Sequence, residues 1–264
     1  MRLVLLAFLP ACSLYFGPDS PPAPDPGSGS SSPATSSYSL VVSKSMAGEH
    51  DVAGVDSDGT GGIWIAYADD YYTPKHLWVT HLDATGTKLS EWSLDDDLVP
   101  VRGLAFSGDA VWVNHDSYAG GGSHISKLDA ATGATLKQYS TTPGILDIAY
   151  DRTTDEILLS YGGNSVDTLD ANTGGELAHT YIAETAYTTQ HGVAVAGDRL
   201  WVNESFTNKF YLVNRDGSPF ATATAPILGT TDYIPAGLQI SWDGAHLITV
   251  YENQIFWFTI EQGP

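Results

Sequence analysis

The 264-residue sequence contains a single cysteine, Cys12, and only two methionines. One thiol cannot form an intramolecular disulfide, and it excludes a metal or redox site built from several cysteines. The sequence also has no Gly-x-Ser-x-Gly elbow, no His-Glu-x-x-His pair and no phosphate-cradling glycine-rich loop. The residues therefore point to no common class of hydrolase, metalloprotease or nucleotide-binding enzyme.

Basic residues are scarce as well, since 11 Lys and Arg stand against 31 Asp and Glu, which gives a formal net charge of -20. A surface this acidic repels a phosphate backbone and an anionic membrane surface alike, so we exclude nucleic acid as a partner. Two interpretations of the acidity stay open. It is either a well-solvated surface or an attraction for cations and basic partners.

Long hydrophobic runs are absent, and the one uninterrupted run near the N-terminus, residues 3–9, is too short to span a bilayer. Arg2 precedes it, which is typical of a secretory signal. The run ends in Leu9-Pro10-Ala11-Cys12, which resembles the lipobox of bacterial lipoproteins. The resemblance implies a signal peptide over residues 1–12 that ends at a lipidated Cys12, and an extracytoplasmic, lipid-anchored protein at the bacterial outer membrane or cell surface. In the alternative, an ordinary secretory signal, Cys12 is incidental.

Residues 13–37 are rich in Pro, Gly and Ser and have almost no apolar content. Such a segment cannot offset its chain entropy by burial, so we expect a disordered tether. The full chain has 27 Gly, 7 Trp, 14 Tyr and 8 Phe, and most of them lie in residues 38–264. Frequent turns together with a large apolar content favour one domain of many short strands.

A repeat runs through residues 50–264, in which a small residue precedes an aliphatic strand, a turn and a second apolar strand. First strands are predicted at Gly54-Val55, Gly103-Leu104, Asp147-Ile148, Gly192-Val193 and Gly237-Leu238, at spacings of 49, 44, 45 and 45 residues. Third strands end in turns of the Asp-x-x-Thr-Gly type, as at Asp129 to Gly133, and a fourth strand follows each. The tryptophans Trp64, Trp112 and Trp201 share one position of the second strand, which indicates packing between layers.

A period near 45 residues with four strands predicts an all-β fold, a β-propeller of five four-stranded blades. The fifth repeat lacks its fourth strand, and the segment from Ser37 to Ser43 can supply it and remove a free sheet edge. The pattern resembles bacterial surface propellers of the NHL, YVTN and quinoprotein-like repeat families. A β-sandwich would not explain a five-fold internal repeat.

Antiparallel blades place the starts of first strands and the ends of second strands on one face of the disc. Long loops with Tyr, Asp, His and Asn side chains also belong there, and such side chains suit carbohydrate, peptide or cation recognition. The ligand-binding candidates on this face are Tyr71, Tyr72, Arg102, His115, Asp116, Asp147, His191 and Glu204. No cofactor is specified, although a divalent cation such as calcium would suit the carboxylates. For the histidines, hydrogen bonding within the rim is the alternative.

The sequence leaves two classes of function open. The first is a binding or scaffold propeller at the cell envelope, whose partner is an envelope protein, a glycan or another polar ligand. The second is a propeller enzyme, either a metal-assisted lactonase using Asn203, Glu204 and Asp147, or a cyclotransferase. For the latter, Thr189-Gln190-His191-Gly192-Val193 and Leu200-Trp201-Val202-Asn203-Glu204 resemble segments of the five-bladed glutaminyl cyclases, which implies a catalytic role for Glu204.

Overall fold

The computed structural model divides the chain into two units, residues 1–34 and 35–264. It describes residues 36–48, 51–68, 76–94, 101–116, 122–161, 164–182, 190–204, 208–225, 239–251 and 253–262. All of them belong to the second unit. Cys12 and the predicted tether lie outside the described residues, apart from Ser36 and Ser37, with which the first strand begins.

The described chain consists of strands and turns. The strands, in chain order, are β1 (Ser36–Ala47), β2 (Asp51–Ser57), β3 (Ile63–Ala68), β4 (Leu77–Leu82), β5 (Lys88–Ser93), β6 (Val101–Phe106), β7 (Ala110–Asp116), β8 (Ser123–Asp129), β9 (Thr135–Thr141), β10 (Ile145–Asp151), β11 (Glu156–Tyr161), β12 (Ser165–Asp170), β13 (Glu176–Tyr181), β14 (Gln190–Ala196), β15 (Arg199–Glu204), β16 (Lys209–Asn214), β17 (Pro219–Thr224), β18 (Ile240–Trp242), β19 (His246–Tyr251) and β20 (Gln254–Gln262).

These strands form five antiparallel four-stranded blades, which confirms the predicted β-propeller. Blades 1 to 4 follow chain order as β2 to β5, β6 to β9, β10 to β13 and β14 to β17. Blade 5 has the order β18-β19-β20-β1, so its outer strand comes from the start of the domain. The predicted closure by an N-terminal strand is therefore present, and the strand is longer than the sequence indicated.

Strand β1 also joins two blades. Its later part pairs antiparallel with β20, from Tyr38 opposite Gln262 to Ala47 opposite Gln254. Its first four residues pair in parallel with β17, the outer strand of blade 4, with Ser36 opposite Ala221. Blades 4 and 5 thus share one eight-stranded sheet, and the exposed edge that each would otherwise have is covered along this stretch.

Five apolar clusters, one between each pair of neighbouring blades, show that the ring is closed. The cluster between blades 1 and 2 contains Trp64 and Leu104, and that between blades 2 and 3 contains Trp112 and Ile148. The clusters of blades 3 and 4 and of blades 4 and 5 follow the same plan. The last cluster joins Ile248 of blade 5 to blade 1. Because second strands lie between two such layers, apolar side chains on both of their faces are buried.

The register of the fifth first strand differs by two residues from the predicted one. In blade 4, Val193 pairs with Val202, and the matching pair in blade 5 is Ile240 with Thr249. The position of Gly192 is therefore taken by Gln239, not by Gly237, which lies outside the described residues. A shift of two residues leaves every side chain on its own face of the strand, so alternation alone cannot distinguish the two registers.

No helix among the described residues is long and apolar enough to cross a membrane.

Candidate functional site

The blades expose two different faces. At the face that we call the loop face, first strands begin, as at Val101 and Ile145, and second strands end, as at Tyr161 and Glu204. At the opposite face, the turn face, short turns such as those at Gly197 and Gly244 connect first to second strands. Connections on a rigid strand framework are the usual location of function, so both faces and the axis between them must be considered.

The axis is surrounded by the free edges of the five first strands, whose backbone groups need partners. Asp147 of blade 3 is such a partner for backbone N–H groups near the middle of the axis. Its side chain is 1% exposed and accepts hydrogen bonds from the backbone N–H of Ile148 at 2.8 Å and of Val193 at 3.0 Å. The N–H of Ile240 donates to the same carboxyl group. One side chain thereby links blades 3, 4 and 5.

Asp56 and Arg152 provide partners at the next level toward the turn face. The carboxyl of Asp56 accepts from the N–H of Ser57 at 2.8 Å, from the N–H of Phe106 at 2.6 Å, and from the hydroxyl of Ser241. The guanidinium of Arg152 donates to the carbonyls of the same two residues, Ser57 at 2.8 Å and Phe106 at 3.2 Å. These bonds link blades 1, 2, 3 and 5.

Gln239 also bonds to backbone groups of other blades, nearer the loop face. Its side-chain amide is buried and donates to the carbonyl of Arg102 in blade 2 and to that of Leu146 in blade 3, the latter at 3.1 Å. Together with Asp147 and Asp56, it fills the axis with side chains that bond to backbone edges of other blades. The axis is therefore a buried polar network that holds the ring together.

Gly103 makes room for this network. A Cβ at this position would lie 2.7 Å from Oδ1 of Asp147 and 2.7 Å from Oδ1 of Asn114. Because neither side chain can move without losing its own contacts, we expect Gly103→Ala to lower the free energy of unfolding by about 1–3 kcal/mol, the usual cost of overpacking. Urea denaturation measures this cost. Gly175→Ala is the control, since the nearest atom to its Cβ would be the exposed hydroxyl of Thr173 at 3.3 Å. Equal losses in the two variants would contradict the close packing assigned to Gly103.

Burial raises the pKa of Asp147 well above its usual value of 3.8, against the opposing effect of its N–H donors, and the nearby Asp56 raises it further. Burial also raises the pKa of Asp56, although the Ser241 hydroxyl and the N–H of Phe106 oppose the rise. The folded protein thus holds these protons more tightly than the unfolded chain does. Their stabilising contribution is complete below the usual pKa and is lost as the pH rises through the raised pKa.

We therefore expect the wild type to lose stability relative to Asp147→Asn as the pH increases from about 4 to 8. The variant lacks one N–H acceptor and is the less stable protein at low pH. The readout is therefore how the difference in free energy of unfolding between the two proteins changes with pH. Chemical denaturation at a series of pH values measures it. Parallel stability curves for the two proteins would show that Asp147 does not titrate in this range.

The structure brings together only some of the predicted ligand-binding residues. Asp147 lies on the axis. Arg102 takes part in the axial network through its backbone carbonyl, which accepts a hydrogen bond from the side-chain amide of Gln239. His115 is 2% exposed and lies within blade 2, where its Nε2 is 2.9 Å from the hydroxyl of Ser126 on the third strand. Its described contacts therefore face away from the axis, as expected of a histidine bonded within its own blade.

The other predicted residues are located only in part. Asp116 ends β7, His191 is the second residue of β14 and Glu204 ends β15, all at the loop face, and their side chains lie outside the described residues. Gln190 pairs with Glu204, so the two segments that resemble a cyclase lie side by side. Tyr71 and Tyr72 lie outside the described residues altogether.

Sequence reasoning missed Asp56, Arg152 and Gln239 as residues of the axis. The sequence could have identified Asp56 as an axial residue, because a charged residue within an apolar first strand, Val55-Asp56-Ser57, is unusual unless it is paired. Gln239 was hidden by the two-residue register shift, and Arg152 lies just beyond a first strand, where charged residues are ordinary.

Within the described ranges, no group of three or more His, Cys, Asp or Glu side chains is placed to hold a metal ion. Asp147 and Asn203, two of the three residues proposed for a lactonase, already accept backbone N–H groups, from Val193 and Gly192 respectively.

Comparison with known proteins supports the fold. The chain matches no protein-family model and no curated protein sequence. Among solved structures it is similar to the crystal structure of Myxococcus xanthus glutaminyl cyclase, with a TM-score of 0.65 and 9% sequence identity, over 87% of this chain and 100% of that chain. At this identity the similarity establishes a shared fold, that of a propeller, and leaves the activity of this chain open.

Proposed function

We propose that this protein is a binding or scaffold propeller that is held at the bacterial envelope by a lipid and presents its loop face to a partner. The observation that supports this best is that the axial side chains are engaged in hydrogen bonds between blades. Asp147, Asp56 and Gln239 bond to the backbone edges of other blades, and a side chain committed in this way supports a rigid framework better than it supports chemistry. Recognition then rests with the connections between strands.

The partner surface that we propose is the loop face, with the side chains of Tyr71, Tyr72, His191 and Glu204 as its contacts. Its ligand is an envelope protein, a glycan or another polar molecule, for which tyrosine rings supply contact area and polar groups fix orientation. Calcium is the cation that its carboxylates would suit, and thermal shift with calcium tests that directly.

We expect the double variant Tyr71→Ala and Tyr72→Ala, and separately Glu204→Ala, to lose partner capture while keeping the wild-type unfolding midpoint. Site-specific crosslinking of the full chain in its native envelope, followed by identification of the linked partner, measures capture. Asp198→Ala on the turn face is the matched control, since its side chain is 80% exposed. Capture that is unchanged in the loop-face variants, or lost equally in the control, would remove the loop face as the binding surface.

The lipid anchor is a separate part of the proposal, and Cys12 tests it. We expect Cys12→Ser to move the protein from the detergent phase to the aqueous phase in detergent partitioning, because lipidation supplies the membrane affinity of a chain with net charge -20. Cys12→Ala serves as a second variant, and both should behave alike. Unchanged partitioning of both proteins would mean that no lipid is attached there.

A second function, glutaminyl-peptide cyclotransfer, is favoured by one specific observation. The two segments that resemble the glutaminyl cyclases pair through Gln190 and Glu204 at the loop face, on a fold shared with such an enzyme. In this case the full chain releases ammonia from peptides that begin with Gln, and Glu204→Gln abolishes the release. Turnover that survives Glu204→Gln, or no turnover at all, would exclude this role for Glu204.

A further inference from the structure

A cavity of about 170 Å³ opens on the axis at the turn face, on the side opposite to the proposed partner surface. Its walls come from the first strands of blades 1, 3, 4 and 5, and Asp56, Arg152 and Thr153 are among its lining residues. An engineered cavity of roughly 150 Å³ in another protein holds a benzene molecule, so this one has room for the end of a long side chain.

Backbone groups from three blades converge on this cavity. The N–H groups of Ile148 and Val193 face the axis, since both donate to Asp147. Antiparallel pairing repeats this direction every second residue, so the N–H and C=O of Tyr150 and Val195 face the axis too. The N–H of Asp243 donates to the carbonyl of His246 within the turn, which directs the groups of the preceding Trp242 inward in the same way.

The N–H and C=O groups of Tyr150, Val195 and Trp242 differ from the equivalent groups in blades 1 and 2, which are bonded by side chains. There, Asp56 accepts the N–H groups of Ser57 and Phe106, and Arg152 binds their carbonyls. Within the part of the chain that the structure describes, no side chain bonds to the N–H or C=O of Tyr150, Val195 or Trp242. Backbone groups that face an open cavity of this kind are satisfied by water or by a ligand.

The charge around the cavity favours a cation. Asp56 is among the lining residues, and its carboxyl is held there by the N–H groups of Ser57 and Phe106. Each of the five turns between first and second strands also carries an aspartate, namely Asp58, Asp109, Asp155, Asp198 and Asp243. Arg152, the basic residue of the lining, is held beside Asp56 on the carbonyls of Ser57 and Phe106, in blades 1 and 2. The turn aspartates lie at the turn face beside the cavity lining, and Asp58, Asp198 and Asp243 pair with His81, Arg199 and His246. Together with the net charge of -20, they raise the local concentration of cations at this face.

We propose that this cavity binds a primary ammonium group, such as the side-chain end of a lysine on a partner protein. An ammonium has three N–H donors and no acceptor, which matches the three inward carbonyls of Tyr150, Val195 and Trp242, and the acidic turn face attracts its charge. The shared chemistry also admits a chain N-terminus. The site is independent of the loop-face function, because no residue of the cavity belongs to that face.

Isothermal titration of the full chain with small amines tests the proposal. The probes are Nα-acetyl-lysine amide, which carries a side-chain ammonium, and glycinamide, which carries an N-terminal one. We expect saturable binding of the first, and at least about tenfold weaker binding of Nα,Nε-diacetyl-lysine amide, which lacks the charge. Tighter binding of glycinamide would support an ammonium site that takes chain N-termini. Absent saturation with both amines, or equal binding of the diacetyl compound, would overturn the proposal.

Two variants locate the site. Thr153 is exposed and lines the cavity, so Thr153→Lys places a resident cation at the mouth without disturbing the core. We expect it to weaken binding of Nα-acetyl-lysine amide by at least about tenfold. Thr135→Lys makes the same change on an exposed outer strand of blade 2 and should leave the affinity within about twofold. Equal affinities for the two variants would show that the amine binds elsewhere.

Discussion

Deletion of residues 1–47 is expected to lower the free energy of unfolding by at least about 4 kcal/mol, or to prevent folding. The deletion removes all of β1, and with it the antiparallel partner of β20 and the parallel partner of the end of β17. It also removes Leu40, which is 3% exposed in the cluster between blades 4 and 5. Urea denaturation of the truncated and intact proteins measures the loss.

Deletion of residues 1–35, which leaves β1 whole, is the control and should leave the unfolding midpoint nearly unchanged. Two neighbouring point variants sharpen the comparison. Leu40→Ala should cost about 2–5 kcal/mol, whereas Val41→Ala should cost little, since Val41 is 43% exposed on the other face of the same strand. Equal midpoints for the two truncations, or equal losses for the two point variants, would refute closure of blade 5 by β1.

Replacement of Asp147 by alanine is expected to lower the free energy of unfolding by about 3 kcal/mol. The side chain is 1% exposed and accepts backbone N–H groups from blades 3, 4 and 5. An alanine leaves these donors facing a space without a protein acceptor, and each buried donor so abandoned costs about 1–3 kcal/mol, less where water can enter. Chemical denaturation with a circular-dichroism check of the folded state measures the effect.

Asp198→Ala is the matched control for this variant. Asp198 occupies a turn, its side chain is 80% exposed and it pairs with its neighbour Arg199 at 3.1 Å, and surface pairs of this kind contribute little. If Asp147→Ala cost no more than Asp198→Ala, the buried carboxyl would not link the blades, and the axis would be filled in another way.

Much of the fold could be predicted from the sequence because a propeller repeats its chemistry. The tryptophans Trp64, Trp112 and Trp201 recur at one strand position and are 3%, 0% and 1% exposed between blades. The missing fourth strand of the last repeat likewise predicted the role of β1, since a free edge needs a partner. Both inferences depend on local pattern and on counting strands, and neither needs the three-dimensional arrangement of the blades.

The candidate site could be predicted only in part, because its residues meet through contacts between blades. Asp147 was expected as a ligand-binding residue, yet the donors that it meets, on Val193 and Ile240, belong to other blades. His115 was expected as a ligand-binding residue of the loop face from its place at a strand end, but the side chain turns toward Ser126 of its own blade. Strand ends identify a face of the disc, whereas side-chain direction depends on the local twist and on bulges such as the one before Gly103.

Native-state hydrogen exchange at the N–H groups of Ile148 and Val193 tests the closed axis most directly. Both groups point away from the strand ladder and toward the axis, where Asp147 accepts them. With the axis filled, we expect them to exchange nearly as slowly as the ladder amides of the buried residues Ala194 and Trp201, and to exchange much faster in Asp147→Ala. Fast exchange of both groups in the wild type would mean a water-filled channel through the disc, and would contradict an axis closed by the buried carboxyl of Asp147.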